Sequence, residues 1–323
     1  MHLNPLRISG LRMSSYYKFK TILLFISGLS FLPLNDAIIK LLSSELSLGQ
    51  IILVRSIFSI IFFSIIFKNF TSLFKIEGKI ILLFTLRATL IVLAMMFFFM
   101  SLASLSIAIA TAIFFISPAL ITILSVIILG ERIGIHRIIS IVIGFFGVLT
   151  IVQPFKSSFQ IESMIALISA FFYALYQIFT RKLKNVGKIN DMILIQQLIY
   201  FVFGLLLCTF NYLHNYEEIY NKSLSFLFRP SISLDYKHLL LLLMASLIFN
   251  FFTFSSTYAY RKTEASIIAP FEYVALPFSI LWGFLIWKDI PSQNVWIGII
   301  FIVISGLYIF HREKKNQISK TTL

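Results

Sequence analysis

Ten stretches of mostly apolar residues divide the chain: 21–43, 49–67, 80–101, 106–129, 134–153, 161–180, 191–213, 238–260, 265–287 and 292–310. A helix needs about 20 such residues to cross the hydrocarbon of a bilayer, so the pattern predicts ten transmembrane helices. The links between them are short, except near 214–237 and in the polar lead 1–20. That lead has basic residues but no apolar core ending in a small-residue cleavage site. The first apolar run is too long for a signal peptide, so it is expected to remain as the first helix.

Composition strengthens this reading. The 323 residues are 59% apolar and 12% charged, include 36 Phe, and have a mean hydropathy of +0.94. A soluble domain is about half apolar and a quarter charged, so lipid is the expected solvent for much of this surface. The net charge of +14 raises the question of a nucleic-acid partner, and its distribution answers it. With the N-terminus placed in the cytoplasm, nineteen Lys and Arg fall on inside segments, among them Lys68, Lys75, Arg132 and Arg181. Five, including Lys156 and Lys288, fall outside, and Lys40, Arg55 and Arg87 lie within helices. This is the positive-inside asymmetry of a multi-pass protein of the cell inner membrane, and no nucleic acid is expected.

Two halves repeat. Gln50-Ile-Ile-Leu-Val-Arg55 matches Asp191-Met-Ile-Leu-Ile-Gln196 at an offset of 141, which also sets Asn35-Asp36 on Tyr176-Gln177. Glu131 matches Asp289 at 158, while Pro118 with Pro277 and Gly147 with Gly306 match at 159. Residues 21–153 and 161–310 are therefore read as two five-helix repeats, with a basic cytoplasmic tail at 311–323. Five is odd, so the second repeat enters from the opposite face and both termini are cytoplasmic. The expected fold is an all-α membrane protein of ten helices in two inverted repeats, a construction that puts a substrate site between the halves of secondary transporters.

The run Ser106-Ile-Ala-Ile-Ala-Thr-Ala-Ile-Phe-Phe-Ile-Ser-Pro118 with Ile128-Leu-Gly-Glu-Arg132 resembles the fourth helix and its exit in the EamA family of the drug/metabolite transporter superfamily. Its second-half counterpart is Glu264-Ala-Ser-Ile-Ile-Ala-Pro-Phe-Glu-Tyr-Val-Ala-Leu-Pro277, followed by Trp287-Lys-Asp289. Asn35-Asp36, Arg55 and Arg87 are similar to alphaproteobacterial members that include S-adenosylmethionine uptake transporters. Asp289 stands where the family usually has Glu, and Glu272 where some relatives carry Arg. The resemblance implies a ten-helix fold, a central cavity, and substrates such as amino acids, nucleotides and vitamins.

Ionisable groups inside a bilayer cost enough to need a partner, water or a function. Asp36 and Lys40 are four apart on one helix face and can pair, or Lys40, near the outer end, snorkels instead; Arg55 at similar depth could complete an outer cluster. That cluster is either a fixed tie between helices or a binding and gating group. Arg87 and Glu272 share a depth nearer the cytoplasm, which permits an inner pair alternating with the outer one; the other reading of Arg87 is contact with lipid phosphate or a carbonyl. Gln177, Gln196, Gln197 and Asn250 supply amides for a cavity suited to a zwitterion or organic anion, or else bridge helices. Tyr173, Tyr176, Tyr258 and Tyr273 are candidate lining residues, and Pro118 and Pro277 candidate bends at its border.

What is missing narrows the class. The chain has no phosphate-binding loop of the G-x-x-x-x-G-K-[S/T] type, so ATP is not expected to drive it. Its five His, at 2, 136, 214, 238 and 311, lie near helix ends or loops, and Cys208 is the sole cysteine. No catalytic residues, metal or cofactor are expected. The expectation is a monomeric or homodimeric secondary transporter of a small polar or zwitterionic metabolite, working by alternating access, with Asp36 and Glu272 as candidate carriers of a coupling proton. A passive channel and an intramembrane enzyme are the alternatives.

Overall fold

The structure is a computed structural model that describes residues 5–67, 76–131, 134–153, 161–214, 221–305 and 308. The predicted tail 311–323, Lys68, Lys75, Arg132 and Lys156 of the charge pattern, and Gly306 of the repeat lie outside the described residues, as do the side chains of the lead through Phe19.

Every regular element among the described residues is helical: α1 Pro5–Leu42, α2 Leu48–Phe67, α3 Gly78–Ser104, α4 Ile107–Phe114, α5 Ser117–Leu129, α6 Ile135–Val152, α7 Glu162–Lys182, α8 Ile189–His214, α9 Lys222–Phe228, α10 Tyr236–Lys262, α11 Ala265–Ile268, α12 Ala275–Trp287 and α13 Gln293–Ser305. A 3-10 segment, Ala269–Val274, joins α11 to α12. Eight spans are long and apolar enough to cross a membrane, counting α4 with α5 and α11 through α12 as one each. The protein is thus a multi-pass membrane protein. The apolar parts of α6 and α13, Ile138–Ile151 and Gln293–Ser305, are shorter, so among the described residues eight spans stand where ten were expected. α1 runs through the lead from Pro5.

Two spans are broken, and proline explains where. Pro118 has no N–H to give the Phe114 carbonyl four residues back. The helix tightens there to an Ile116 N–H to Ile113 carbonyl bond, and α5 restarts with Pro118 in its first turn. The second break is the 3-10 segment containing Pro270, after which Pro277 sits in the first turn of α12. Irregular backbone at membrane depth survives only when enclosed by protein or facing a cavity.

Helices α1 and α10 run antiparallel. Glu45, just after α1, meets His238 in the first turn of α10 at 2.9 Å, and Phe25 meets Tyr260 edge-on. Arg181 at the end of α7 donates to the Arg261 carbonyl, so α7 ends on the face opposite to the end of α1. Small residues bring helices close. A Cβ on Gly204 of α8 would lie 2.6 Å from the Leu53 backbone nitrogen of α2, and one on Gly298 of α13 would lie 2.6 Å from the Gly147 carbonyl oxygen of α6. Because Gly204 faces backbone, which cannot swing aside, Gly204→Ala is expected to cost about 1–3 kcal/mol, read as a fall in Tm of the detergent-solubilised protein.

Candidate functional site

The two breaks face each other. Glu272, in the 3-10 segment and 2% exposed, accepts hydrogen bonds from Tyr260 of α10 at 2.6 Å, Tyr173 of α7 at 3.0 Å and Ser117 at the break before α5 at 3.4 Å. Between them lies a cavity of about 40 Å³ lined by Pro33, Asp36, Met95, Thr111, Phe114, Tyr173 and Glu272, among others. Asp36 accepts from the Asn35 amide at 2.9 Å. Among the described residues neither carboxyl has a Lys or Arg nitrogen within ion-pair distance, so one enclosed space holds two acids with no cation. The Thr111 hydroxyl, also on this wall, is buried without a partner.

The buried cations sit elsewhere. Arg87, fully buried on α3, spends its guanidinium on neutral acceptors. Nε donates to Thr180 at 2.7 Å, Nη1 to Gln196 at 2.9 Å, and Nη2 to Tyr176 at 2.7 Å and Thr257 at 3.0 Å. The Tyr176 ring lies 4.3 Å from the guanidinium carbon and its hydroxyl donates on to Gln196 at 3.1 Å. Arg55 on α2 faces a second, smaller cavity of about 10 Å³ with Ser56, Ser59, Met95, Gln197 and Tyr200. Met95 is common to both cavities.

These placements correct two pairings that spacing and depth permit. Asp36 and Lys40 do not pair. The longer Lys40 side chain reaches the carbonyls of Leu102 and Leu105 at the end of α3, at 2.8 and 2.5 Å, where helix-end acceptors lack intrahelical donors. Asp36 turns inward to the cavity instead, so no outer triad with Arg55 forms. Arg87 and Glu272 do not pair either. Depth was matched but azimuth was not: α7 stands between them, giving Tyr173 to Glu272 and Tyr176 to Arg87. Gln177 extends the Glu272 side, donating to Tyr173 at 2.7 Å and Ser256 at 3.0 Å. Asn250 donates weakly to Ser246 at 3.5 Å, beside the Arg55 carbonyl. Tyr273 lies off both cavities, packed edge-on against Phe115 at 5.5 Å between ring centres.

Tyr260, Thr180, Thr257 and Ser117 join the site unannounced by hydropathy. The signal for most of them is a buried polar stripe at helical spacing: Ser169, Tyr173, Tyr176 and Thr180 on α7, and Ser246, Asn250, Thr253, Thr257 and Tyr260 on α10. Such stripes inside apolar spans mark the bundle interior.

Residues 19–153 match the EamA-like transporter family. The chain is 27% identical over 207 residues to a riboflavin transporter of Vibrio cholerae, a match spanning 64% of this chain and 63% of that protein. It is 24% identical over 211 residues to an S-adenosylmethionine uptake transporter of Rickettsia prowazekii, covering 65% of each. It is also 24% identical over 282 residues to the pseudopaline exporter CntI of Pseudomonas aeruginosa, covering 86% of this chain and 92% of that one. The matched part is thus less than two thirds of the riboflavin transporter's length. A solved crystal structure, 17% identical, shares the fold with a TM-score of 0.60 over 92% of this chain and 97% of its own.

Proposed function

We propose that this chain, an EamA-like transporter over residues 19–153, is a secondary transporter that moves a small polar or zwitterionic metabolite across a bacterial inner membrane without ATP. One observation carries the reading: two broken helices meet at a small, mostly apolar cavity whose lining includes two buried carboxyls, Asp36 and Glu272, neither within ion-pair distance of a Lys or Arg among the described residues. Helix breaks at membrane depth and uncompensated carboxyls are both costly, and a polar substrate passing between them accounts for both. Relatives named as transporters of riboflavin and S-adenosylmethionine, and as an exporter of pseudopaline, support a small-molecule cargo.

Alternating access fits the geometry. A cavity of about 40 Å³ has room for a few waters, so the site is closed in this state. Ties hold it from both faces. Lys40 binds the end of α3, and on the opposite face Arg261 donates to the carbonyls of Lys184, Val186 and Gly187 in the α7–α8 link. The inverted-repeat reading draws support from the opposite directions of α1 and α7. It draws more from packing that exchanges in pairs: α1 with α10 as α3 with α7, and α10 with α2 as α3 with α8. α6 and α13, joined through Gly147 and Gly298, complete ten spans in this reading, with both termini cytoplasmic. The cavity is complete within one chain, and Asp36 or Glu272 serves as carrier for a coupling proton.

The test is counterflow in proteoliposomes preloaded with a metabolite mixture. Solute exchange without ATP, and without steady ohmic current in planar bilayers, is expected. Strict ATP dependence or an ohmic current would overturn the reading.

A further inference from the structure

Arg55 is the buried cation whose surroundings do not account for it. It is 6% exposed, and its Nε is enclosed with no hydrogen-bond partner. No described residue accepts a hydrogen bond from its guanidinium. Two phenyl rings flank it, Phe249 at 4.7 Å and Phe99 at 5.7 Å, and cation–π contact offsets only part of the cost of burying a charge. Arg87, one helix away, shows how this fold satisfies a guanidinium when its role is to hold helices together: four hydrogen bonds from three helices.

A second orphan shares the pocket. Gln197 of α8 is 1% exposed, lines the same cavity, and its amide nitrogen has no partner. Ser59 shares its hydroxyl with Ser246 at 3.1 Å, and Tyr200 donates at 3.4 Å to the Ile91 carbonyl. The cavity therefore presents the Arg55 fork and the Gln197 amide as buried donors with no acceptor, and among the described residues no carboxylate lines it. On the other side of Met95 lies the reverse, Asp36 and Glu272 with no cation.

We propose that Arg55 and Gln197 form the receptor for a carboxylate on the transported metabolite, whose cationic group sits across Met95 against Asp36 and Glu272. This rests on the transport reading above and narrows its cargo to zwitterions of the amino-acid type. A carboxylate takes the guanidinium fork two-pronged, and the cavity, about 10 Å³ in this closed state, widens to admit it when the site opens. A phosphate dianion would leave its second charge unmatched, since Arg55 is the only cation among the described residues that line the pocket.

The test uses the full chain in proteoliposomes, offered an equimolar mixture of S-adenosylmethionine, riboflavin, free amino acids, their methyl esters and the matching decarboxylated amines, with uptake read by mass spectrometry. At least one probe with both a free carboxylate and a cation is expected to enter, at about ten times the rate of its ester and its amine or more. Arg55→Gln is expected to abolish that preference, and Arg55→Lys, which keeps the charge but not the fork, to restore part of it. In parallel, Arg55→Met is expected to raise Tm, because it removes a buried charge that nothing hydrogen-bonds; a structural tie would give a fall. Acids and esters entering alike, uptake confined to riboflavin, an Arg55→Gln variant with its preference intact, or a lower Tm for Arg55→Met each overturns the receptor. No probe entering above protein-free liposomes overturns the transport reading itself.

Discussion

Arg87→Met is expected to destabilise the protein by about 3 kcal/mol. Opposing terms decide the sign. Removing an uncompensated guanidinium recovers several kcal/mol of desolvation cost. Against that, four charge-assisted hydrogen bonds are each worth about 1.5–3 kcal/mol, and the Tyr176 ring at 4.3 Å adds up to about 2 kcal/mol when desolvated. The acceptors come from α7, α8 and α10, so the loss falls on the packing of three helices against α3. Thr180 keeps its bond to the Tyr176 carbonyl at 2.8 Å, while Thr257 loses the one partner it has among the described residues. Arg87→Lys is expected to recover less than half, since one ammonium cannot span four acceptors set around a planar fork. Thermal unfolding in detergent reads both. An Arg87→Met variant as stable as the parent would mean that the desolvation cost cancels the whole network.

How far the sequence reaches is clearest on α7. Its apolar length gave the span, and Gln177 and Tyr176 stood out as polar groups that lipid would reject. What they touch depends on the rotation of α7 about its axis and on the neighbours it meets, which residue spacing on one helix does not encode. The expected Arg87–Glu272 pair failed for that reason: depth is countable at 1.5 Å per residue, whereas azimuth relative to another helix is set by packing. Lys40 failed differently. Its spacing from Asp36 was right, but a long side chain near a helix end finds unpaired carbonyls more readily than a neighbour already turned inward. Pro118 was legible as a break. The 3-10 segment around Pro270 was not, since repeat spacing singles out Pro277 as the bend. The lack of any partner for Arg55 was invisible until the walls of its pocket were in place.

Glu272→Gln is expected to leave the fold nearly intact and to lower uptake about 10- to 100-fold, the loss of one charge-assisted hydrogen bond at the cationic end of the cargo. The reasoning turns on who donates. Tyr173 and Tyr260 both give their hydroxyl protons to Oε1, and a glutamine oxygen at the same position accepts both. Ser117 now donates to Oε2; opposite an amide nitrogen its hydroxyl rotates and accepts, because a serine oxygen has lone pairs to offer. Tm should therefore stay close to that of the parent. Glu272→Ala differs in kind. It strands the Tyr260 hydroxyl, and it costs Tyr173 its acceptor while Gln177 still donates to it. Each orphaned group carries about 1–3 kcal/mol, so a clear drop in Tm accompanies the lost uptake. The pair separates the charge of Glu272 from its scaffolding. A third outcome gives the side chain another role. If Glu272→Gln keeps full counterflow and loses only uphill accumulation, the carboxyl carries the coupling proton and Asp36 alone receives the cation.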